Sequence, residues 1–427
     1  MKFKRWNKTK LEEIVEINPK TSLKKGTVAK KVAMEHVKEF TRKISGFEET
    51  EFKSGSKFIN NDTLMARITP CLENGKTAYV DILEYDEVAF GSTEFFVLRS
   101  KEGKSDSKFI YYLTISEEFR KVAIQSMTGT SGRQRAQKDS LLNYELSVPI
   151  LKEQKKIGKI LSLYDEKVES NNAIISNLEE LAQTLFKRWF VDFEFPNEEG
   201  KPYKSSGGKM VESELGMIPK GWAAGTLADV GEIVGGGTPS KKVPDYYSVS
   251  EISWLTPKDL STNKSVFQYK GVNDISELGL KKSSARLLPE NTVLYSSRAP
   301  IGYTAIAGKK LATNQGFKSI IPSEKYSSEY VYFLLKHLTP VIEANAGGST
   351  FKEISAAGMK RVKTILPLHL IVKQYGQIVN CIFNEIKRAE KENSILKKTH
   401  DALLPKLLSG EIELPDDMEV TDDVPIS

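Results

Sequence analysis

Residues able to do bond chemistry are scattered along this chain. Glu153-Gln154-Lys155 and Glu385-Ile386-Lys387 carry the Glu-x-Lys string of a metal-dependent nuclease centre, where two carboxylates and a lysine surround Mg²⁺. Both strings fall in stretches of helical periodicity, where such charges pair on a surface, so they read as structural. Gly235-Gly236-Gly237-Thr238-Pro239-Ser240-Lys241 lacks the spacing of a phosphate loop and reads as a flexible turn. The chain has no Pro-Pro pair, hence no [Asn/Asp]-Pro-Pro-[Tyr/Phe] loop of an amino-methyltransferase. His36, His337, His369 and His400 form no HExxH, and Cys71 and Cys381 form no CxxC. No catalytic residue and no metal or cofactor is therefore assigned to this chain.

Residues suited to reading a surface are easier to find. Sequence-specific contact with DNA uses Arg, Lys, Asn, Gln, Ser and Thr that reach base edges from a scaffold gripping phosphates. In Thr128-Gly129-Thr130-Ser131-Gly132-Arg133-Gln134-Arg135 the candidate contacts are Thr130, Ser131, Arg133, Gln134 and Arg135. The counterpart Gly347-Gly348-Ser349-Thr350-Phe351-Lys352 adds Ser349, Thr350 and Lys352. Arg67-Ile68-Thr69-Pro70 and Ser296-Ser297-Arg298-Ala299-Pro300 each put an arginine at a strand end, adding Arg67, Thr69, Ser297 and Arg298. Arginine can bind guanine O6 and N7 together. Lys258 completes the set; Asp259 beside it either caps a turn or contacts cytosine. The competing readings are solvated loops and surface ion pairs.

These segments come in pairs because the chain is written twice. Trp6, Leu11, Ile14, Glu16 and Ile17 return as Trp222, Leu227, Val230, Glu232 and Ile233 at an offset of 216. Asp62-Thr63-Leu64-Met65 with Arg67 and Pro70 aligns with Asn291-Thr292-Val293-Leu294 with Arg298 and Pro300 once small gaps are allowed. Gly129, Ser131, Pro149 and Gly158 return as Gly347, Ser349, Pro367 and Gly376 at an offset of 218.

Each half opens with short apolar runs punctuated by Gly, Pro, Asn and Ser, the pattern of a mixed α/β domain. Each then enters a long helix. In the first, Ile157, Leu161, Tyr164, Val168, Asn171, Ile175, Leu178, Ala182 and Leu185 step by four and three, the spacing of a coiled-coil seam. In the second, Tyr375, Val379, Ile382, Ile386, Ala389, Asn393, Leu396, His400 and Leu403 do the same. A helix from Lys152 to Phe190 extends about 58 Å at ~1.5 Å per residue, longer than a small domain is wide. The two stripes are therefore expected to pair with each other, antiparallel in preference to parallel because the connector from Pro196 to Met210 leads into a second globular domain before the second helix begins, with Asn171, Asn393 and His400 fixing the register. The expected fold class is α+β: two mixed α/β domains separated by two long antiparallel coiled-coil helices, with an internal pseudo-twofold repeat. The divisions read 1–149 for the first recognition domain, 150–195 for a spacer helix and 196–212 for a linker. They continue with 213–367 for the second recognition domain, 368–411 for the second spacer helix and 412–427 for an acidic tail.

A chain of 427 residues has room for two to four domains at roughly 100–200 residues each. With 39% hydrophobic and 28% charged residues it falls outside the fibrous and disordered classes. No apolar run reaches the ~18 residues of a spanning helix, and charge follows Met1-Lys2-Phe3-Lys4-Arg5-Trp6, so a cytoplasmic protein with no membrane partner is expected. Glu411 to Ser427 holds seven acids and no Lys or Arg. Residues 1–410 therefore carry 62 basic residues against 49 acids, a net +13 that suits a polyanionic partner.

Three joints in this plan carry a family likeness: Glu214-Leu215-Gly216-Met217-Ile218-Pro219-Lys220-Gly221-Trp222, Phe186-Lys187-Arg188-Trp189-Phe190-Val191-Asp192-Phe193, and Leu403-Leu404-Pro405-Lys406-Leu407-Leu408-Ser409-Gly410-Glu411-Ile412. With the repeat order, they make the chain resemble the DNA-specificity subunits of type I restriction-modification systems. The resemblance implies a non-catalytic subunit whose two target-recognition domains each read half of a bipartite, asymmetric site in double-stranded DNA, with paired helices as a ruler between them. It implies that partners do the chemistry: modification subunits, two of them, methylating adenine with S-adenosylmethionine, and restriction subunits translocating and cutting with ATP and Mg. It also implies docking of the modification subunits on the helices, around Leu181 to Phe190 and Leu403 to Leu408. The acidic tail has no counterpart in that plan. The alternative is a coiled-coil adaptor that touches nucleic acid only non-specifically.

Overall fold

Apolar runs become the inner strands of two small sheets in the first half. In this computed structural model, which describes residues 6–348, 352–415 and 417–418, Phe95–Ser100 lies between Val15–Ile17 and Thr63–Ala66, antiparallel to both. Thr77–Tyr79 completes that sheet. Phe95, Phe96, Val97 and Leu98 are all buried, which is why this strand reads as a continuous apolar run. The second sheet orders Glu48–Glu51, Val28–Val32, Ala89–Gly91 and Ser56–Phe58, with one parallel pair.

The second half repeats the plan. Gly231–Gly235, Lys318–Pro322, Val293–Ser297 and Ile301–Ala307 form one sheet, widened by Phe267–Gln268. Tyr247–Ser248, Asn273–Ile275, Ile252–Leu255 and Ala312–Thr313 form the other, again with one parallel pair. An antiparallel ribbon ties each half to the strand leading into its long helix: Trp6–Lys10 with Glu145–Pro149, and Ala223–Thr226 with Lys363–Leu366.

Main-chain geometry corrects the register of the repeat. Asn61 and Asn291 both adopt a left-handed φ, 71° and 68°, and donate their N–H groups to Val80 and Ala307 carbonyls at 2.8 Å. Thr69-Pro70 and Ala299-Pro300 are both cis. The offset is thus 230 from Asn61 to Pro70 without gaps, so Arg67 matches Ser297 and Ile68 matches Arg298. Aligning Asp62 with Asn291 and Arg67 with Arg298, as the side chains suggest, is one residue out: backbone conformation, not side-chain identity, defines the equivalence.

The long helices are Leu151–Phe186, continued by a π-helical turn Lys187–Val191, and His369–Ser409. The chain divides into two compact units, residues 1–169 with 393–427, and residues 170–392. Each unit therefore contains the start of one long helix and the end of the other. In the first, Lys156 Nζ donates to Pro415 O at 2.7 Å. Further along that helix Tyr112 donates to Asp165 at 2.7 Å and stands 5.6 Å from the His400 ring. In the second, Asn171 donates to Glu392 at 2.8 Å and Tyr375 OH to Ala182 O at 3.3 Å. Rising numbers on one helix meet falling numbers on the other, so the pairing is antiparallel within each unit.

Along the stripes Leu161, Val379 and Ile386 are buried, and Tyr164, Val168, Ile175, Leu178, Leu185, Ile382, Leu396 and Leu403 are half-buried. The polar positions Asn171, Asn393 and His400 are buried as well. The end of the first helix supplies the aromatic core of the second unit, where Phe190 meets Tyr330 and Tyr375 edge-on at 4.8 and 5.0 Å. Phe186, Trp189 and Phe190 are consequently buried, while Leu181, Lys187 and Arg188 face solvent.

One carboxylate lies in that second unit at the edge of its sheet. Glu390 accepts from Val266 and Phe267 N–H at 2.5 and 3.1 Å, yet burial pushes its carboxyl up to about 7. The folded chain then binds a proton that the unfolded chain has released between 4.5 and about 7. The associated stability is fully present below that window and is lost as pH rises through about 7. Thermal melts of the full chain should show a stability decline across this window, and Glu390→Gln should flatten it. Equal slopes in both proteins would remove Glu390 as the source.

Candidate nucleic-acid interface

Three segments are bound together by main-chain hydrogen bonds in each half. In the first, Ser92-Thr93-Glu94-Phe95 forms a turn: Ser92 Oγ accepts from Glu94 N–H and Ser92 O from Phe95 N–H, both at 3.1 Å. Arg67 N–H donates to Glu94 O at 2.9 Å, and Ala136 N–H donates to Arg67 O at 2.8 Å. Thr128 and Arg135 exchange both main-chain bonds at 3.1 and 2.9 Å, closing a hairpin. Gly129 and Gly132 take φ of 126° and 79° within it, which side chains disfavour.

The second half uses the same bonds. Asn314 Oδ1 accepts from Gly316 N–H at 2.8 Å and Asn314 O from Phe317 N–H at 3.3 Å. Ser297 N–H donates to Gly316 O at 2.7 Å, Ile354 N–H donates to Ser297 O at 3.1 Å, and Gly347 and Glu353 exchange bonds at 3.1 and 2.8 Å.

Charge is inverted on this shared frame. Arg135 forks onto Glu94 with Nη2 at 2.7 Å and holds that carboxyl below the usual range. At the equivalent place the second half has Glu353, which Arg298 and Lys318 approach at 3.4 and 3.5 Å. Arg67 lies 4.6 Å over the Phe96 ring, with its Nε unpartnered among the described residues.

The residues expected to contact bases fall into distinct settings. Thr130, Ser131 and Arg133 are exposed at the hairpin tip, whereas Gln134 and Arg135 are half-buried at its base. Thr69 commits its hydroxyl to Glu73 at 2.8 Å. Ser297 is fully buried and donates to Gly316 O at 3.1 Å, which removes it from any base. Arg298 and Lys352 are at the second hairpin, Lys352 exposed; Ser349 and Thr350 lie outside the described residues, as does most of the tail beyond Pro415. Lys258 is exposed on the short helix Pro257–Thr262. Asp259 caps that helix, accepting from Thr256 N–H and Oγ1 at 2.7 and 2.6 Å and from Val272 N–H at 2.9 Å.

Two sequence expectations need revision. The glycine run is not a flexible turn. A Cβ on Gly236 would lie 2.0 Å from Asn314 O, and one on Gly237 would lie 2.3 Å from Ala285 N. Gly237 N–H donates to Thr313 O at 2.9 Å, and its carbonyl accepts from Trp254 Nε1 at 3.0 Å. The run borders a recess of about 490 Å³ whose lining includes Thr238, Lys241, Trp254, Asn273, Asn314 and Gln315. None of these was identifiable as a contact, because the strands that bring them together are distant in sequence. Glu153-Gln154-Lys155 is also no surface string: Gln154 is buried and joins Pro149 O, Lys104 O and Asp106 N–H at 2.9, 3.2 and 3.1 Å. Among the described residues Glu35, His36 and Glu48 approach as metal ligands would. His36 Nδ1, however, accepts from Ala33 N–H at 3.1 Å and Glu48 pairs with Lys31 at 3.2 Å.

A family model described as the type I restriction modification DNA specificity domain matches residues 4–180 and again 219–397. The chain is 39% identical over 189 residues to the type I restriction enzyme MjaIX specificity subunit of Methanocaldococcus jannaschii, spanning 44% of each chain. It is 26% identical over 424 residues to the HindI specificity subunit of Haemophilus influenzae, covering 86% of this chain and 90% of that one. The crystal structure of a type I restriction-modification S subunit from M. genitalium shares the fold with a TM-score of 0.58 at 16% identity, over 95% of this chain and 97% of that one.

The close approach of Gly236 is open to test. Gly236→Ala should destabilise the full chain in urea by ~1–3 kcal/mol, the cost of overpacking, where a merely flexible turn would tolerate it.

Proposed function

This chain belongs to the type I restriction-modification DNA specificity family, and from that premise we propose that residues 1–149 and 213–367 each read one half of a bipartite, asymmetric DNA sequence. The observation carrying this reading is the doubled frame: three segments joined by the same main-chain bonds, with unlike side chains on the two copies. A molecule that reads two different half-sites needs that combination. The basic excess of residues 1–410 supplies the non-specific attraction to phosphates.

In the first half Arg133, Thr130 and Ser131 are the residues free to reach bases, with Arg67 beside them and Thr69, Gln134 and Arg135 shaping the hairpin base. In the second half the exposed Lys258 and Lys352 take that role, with Arg298 beside them on Glu353; the sequence candidates Ser349 and Thr350 lie outside the described residues. The role of the chain is specificity. Methyl transfer from S-adenosylmethionine, and ATP- and Mg-dependent translocation and cleavage, belong to modification and restriction subunits. Two modification subunits dock on residues 150–195 and 368–411, with exposed Leu181, Lys187 and Arg188 in the interface. The complex works in the cytoplasm; no helix among the described residues is long and apolar enough to cross a membrane.

With its partners, the chain should bind one split sequence far more tightly than random duplex, with log affinity falling linearly in log salt. Arg133→Ala should relax discrimination in one half-site and Lys352→Ala in the other, each by ~1–3 kcal/mol. Equal binding to all duplexes would leave the adaptor reading in place.

A further inference from the structure

The turn leading into the inner strand Phe95–Ser100, and its counterpart leading into Lys318–Pro322, each have an exposed residue at the apex. The bonds of Ser92 and Asn314 to the residues two and three positions on make the two turns equivalent, which sets Thr93 against Gln315. Both apex residues are exposed. The frame is kept while a short hydroxyl replaces a long carboxamide, the kind of change that distinguishes two readers.

Gln315 lines that recess together with the polar side chains of Thr238, Lys241 and Asn273. The walls of that recess are held in place. Trp254 Nε1 is tied to Gly237 O at 3.0 Å, Tyr247 OH to Pro239 O at 2.8 Å, and the two rings meet edge-on at 6.2 Å. Asn314 directs its own carboxamide oxygen onto Gly316 N–H. Thr238 Oγ1 donates a hydrogen bond to Gln315 Oε1. A carboxamide oxygen has two lone pairs and its NH₂ has two donors, so this bond fixes the orientation of the amide and leaves one acceptor and both donors for a ligand.

We propose that Gln315 is a specificity-determining residue of the second half, reading an adenine edge at this recess, with Thr238 as its positioning residue. An oriented carboxamide offers an acceptor to adenine N6–H and a donor to N7, whereas guanine presents acceptors at both O6 and N7 and opposes the amide oxygen. The exposed Lys241 ammonium provides a phosphate contact beside it. This inference rests on the proposed function and deepens it.

The test is the methylated motif in cells carrying the full chain with its modification partner, read by methylome sequencing. Gln315→Ala should lose its preference for adenine at one position, with discrimination falling roughly tenfold to hundredfold. The position should lie in the half-site that Arg133→Ala leaves unchanged. Gln315→Glu has nearly the same shape but cannot donate, so it should shift that position from adenine towards cytosine, whose N4 donates. Thr238→Val should give a partial loss that Thr238→Ser does not. If Gln315→Ala abolishes methylation, Gln315→Glu decides by the same criterion. An unchanged motif in both Gln315 variants, or relaxation in the other half-site, overturns the assignment. A wild-type system that modifies no split sequence instead overturns the functional reading on which it rests.

Discussion

The main-chain hydrogen bonds that join the turn, the strand end and the hairpin are the constraint on which each half depends. They use N–H and C=O groups that almost every residue carries, so the frame survives wholesale change of side chains. Arg67 and Ser297 occupy one place in this frame, an arginine stacked on a ring in one half and a buried hydroxyl in the other. Arg135 and Glu353 occupy another, with opposite charge and a partner matched to each, Glu94 and Lys318. The partners stand at different places in the frame, since Glu94 matches Gly316 and Lys318 matches Phe96.

The long helices serve both units because each lends its start to one and its end to the other. Their burial is achieved less by the seam alone than by what packs beside it. In the second unit Phe186, Trp189 and Phe190 enter an aromatic cluster with Trp222, Tyr330 and Tyr375. In the first, Ile157 and Leu161 share a core with Leu403, Leu404, Leu407 and Leu408. In the seam the buried Asn171 amide is held by Glu392, since an unpaired amide there would carry a full desolvation cost.

Much of the architecture was legible in residue order. Repeat offsets and a stripe stepping by four and three are properties of a one-dimensional string, and they led to an α+β molecule with two related halves and antiparallel helices. Local motifs were less reliable when their meaning depended on neighbours. The Gly235 to Gly237 run looked flexible because glycine permits motion, yet the chain uses it to admit Asn314 O and Ala285 N at distances no Cβ would tolerate. Gln154 looked like part of a surface string and is a buried clamp on three main-chain groups.

The sequence by itself determined the duplication, the helical stripes and the family, because these follow from periodicity and from residues adjacent in the chain. Only the tertiary structure decided that Arg67 corresponds to Ser297, that Ser297 is inaccessible, and that Thr238, Asn273 and Gln315 border one recess. Those facts depend on contacts between strands far apart in sequence and on which backbone groups pair, and a string of side chains encodes neither directly.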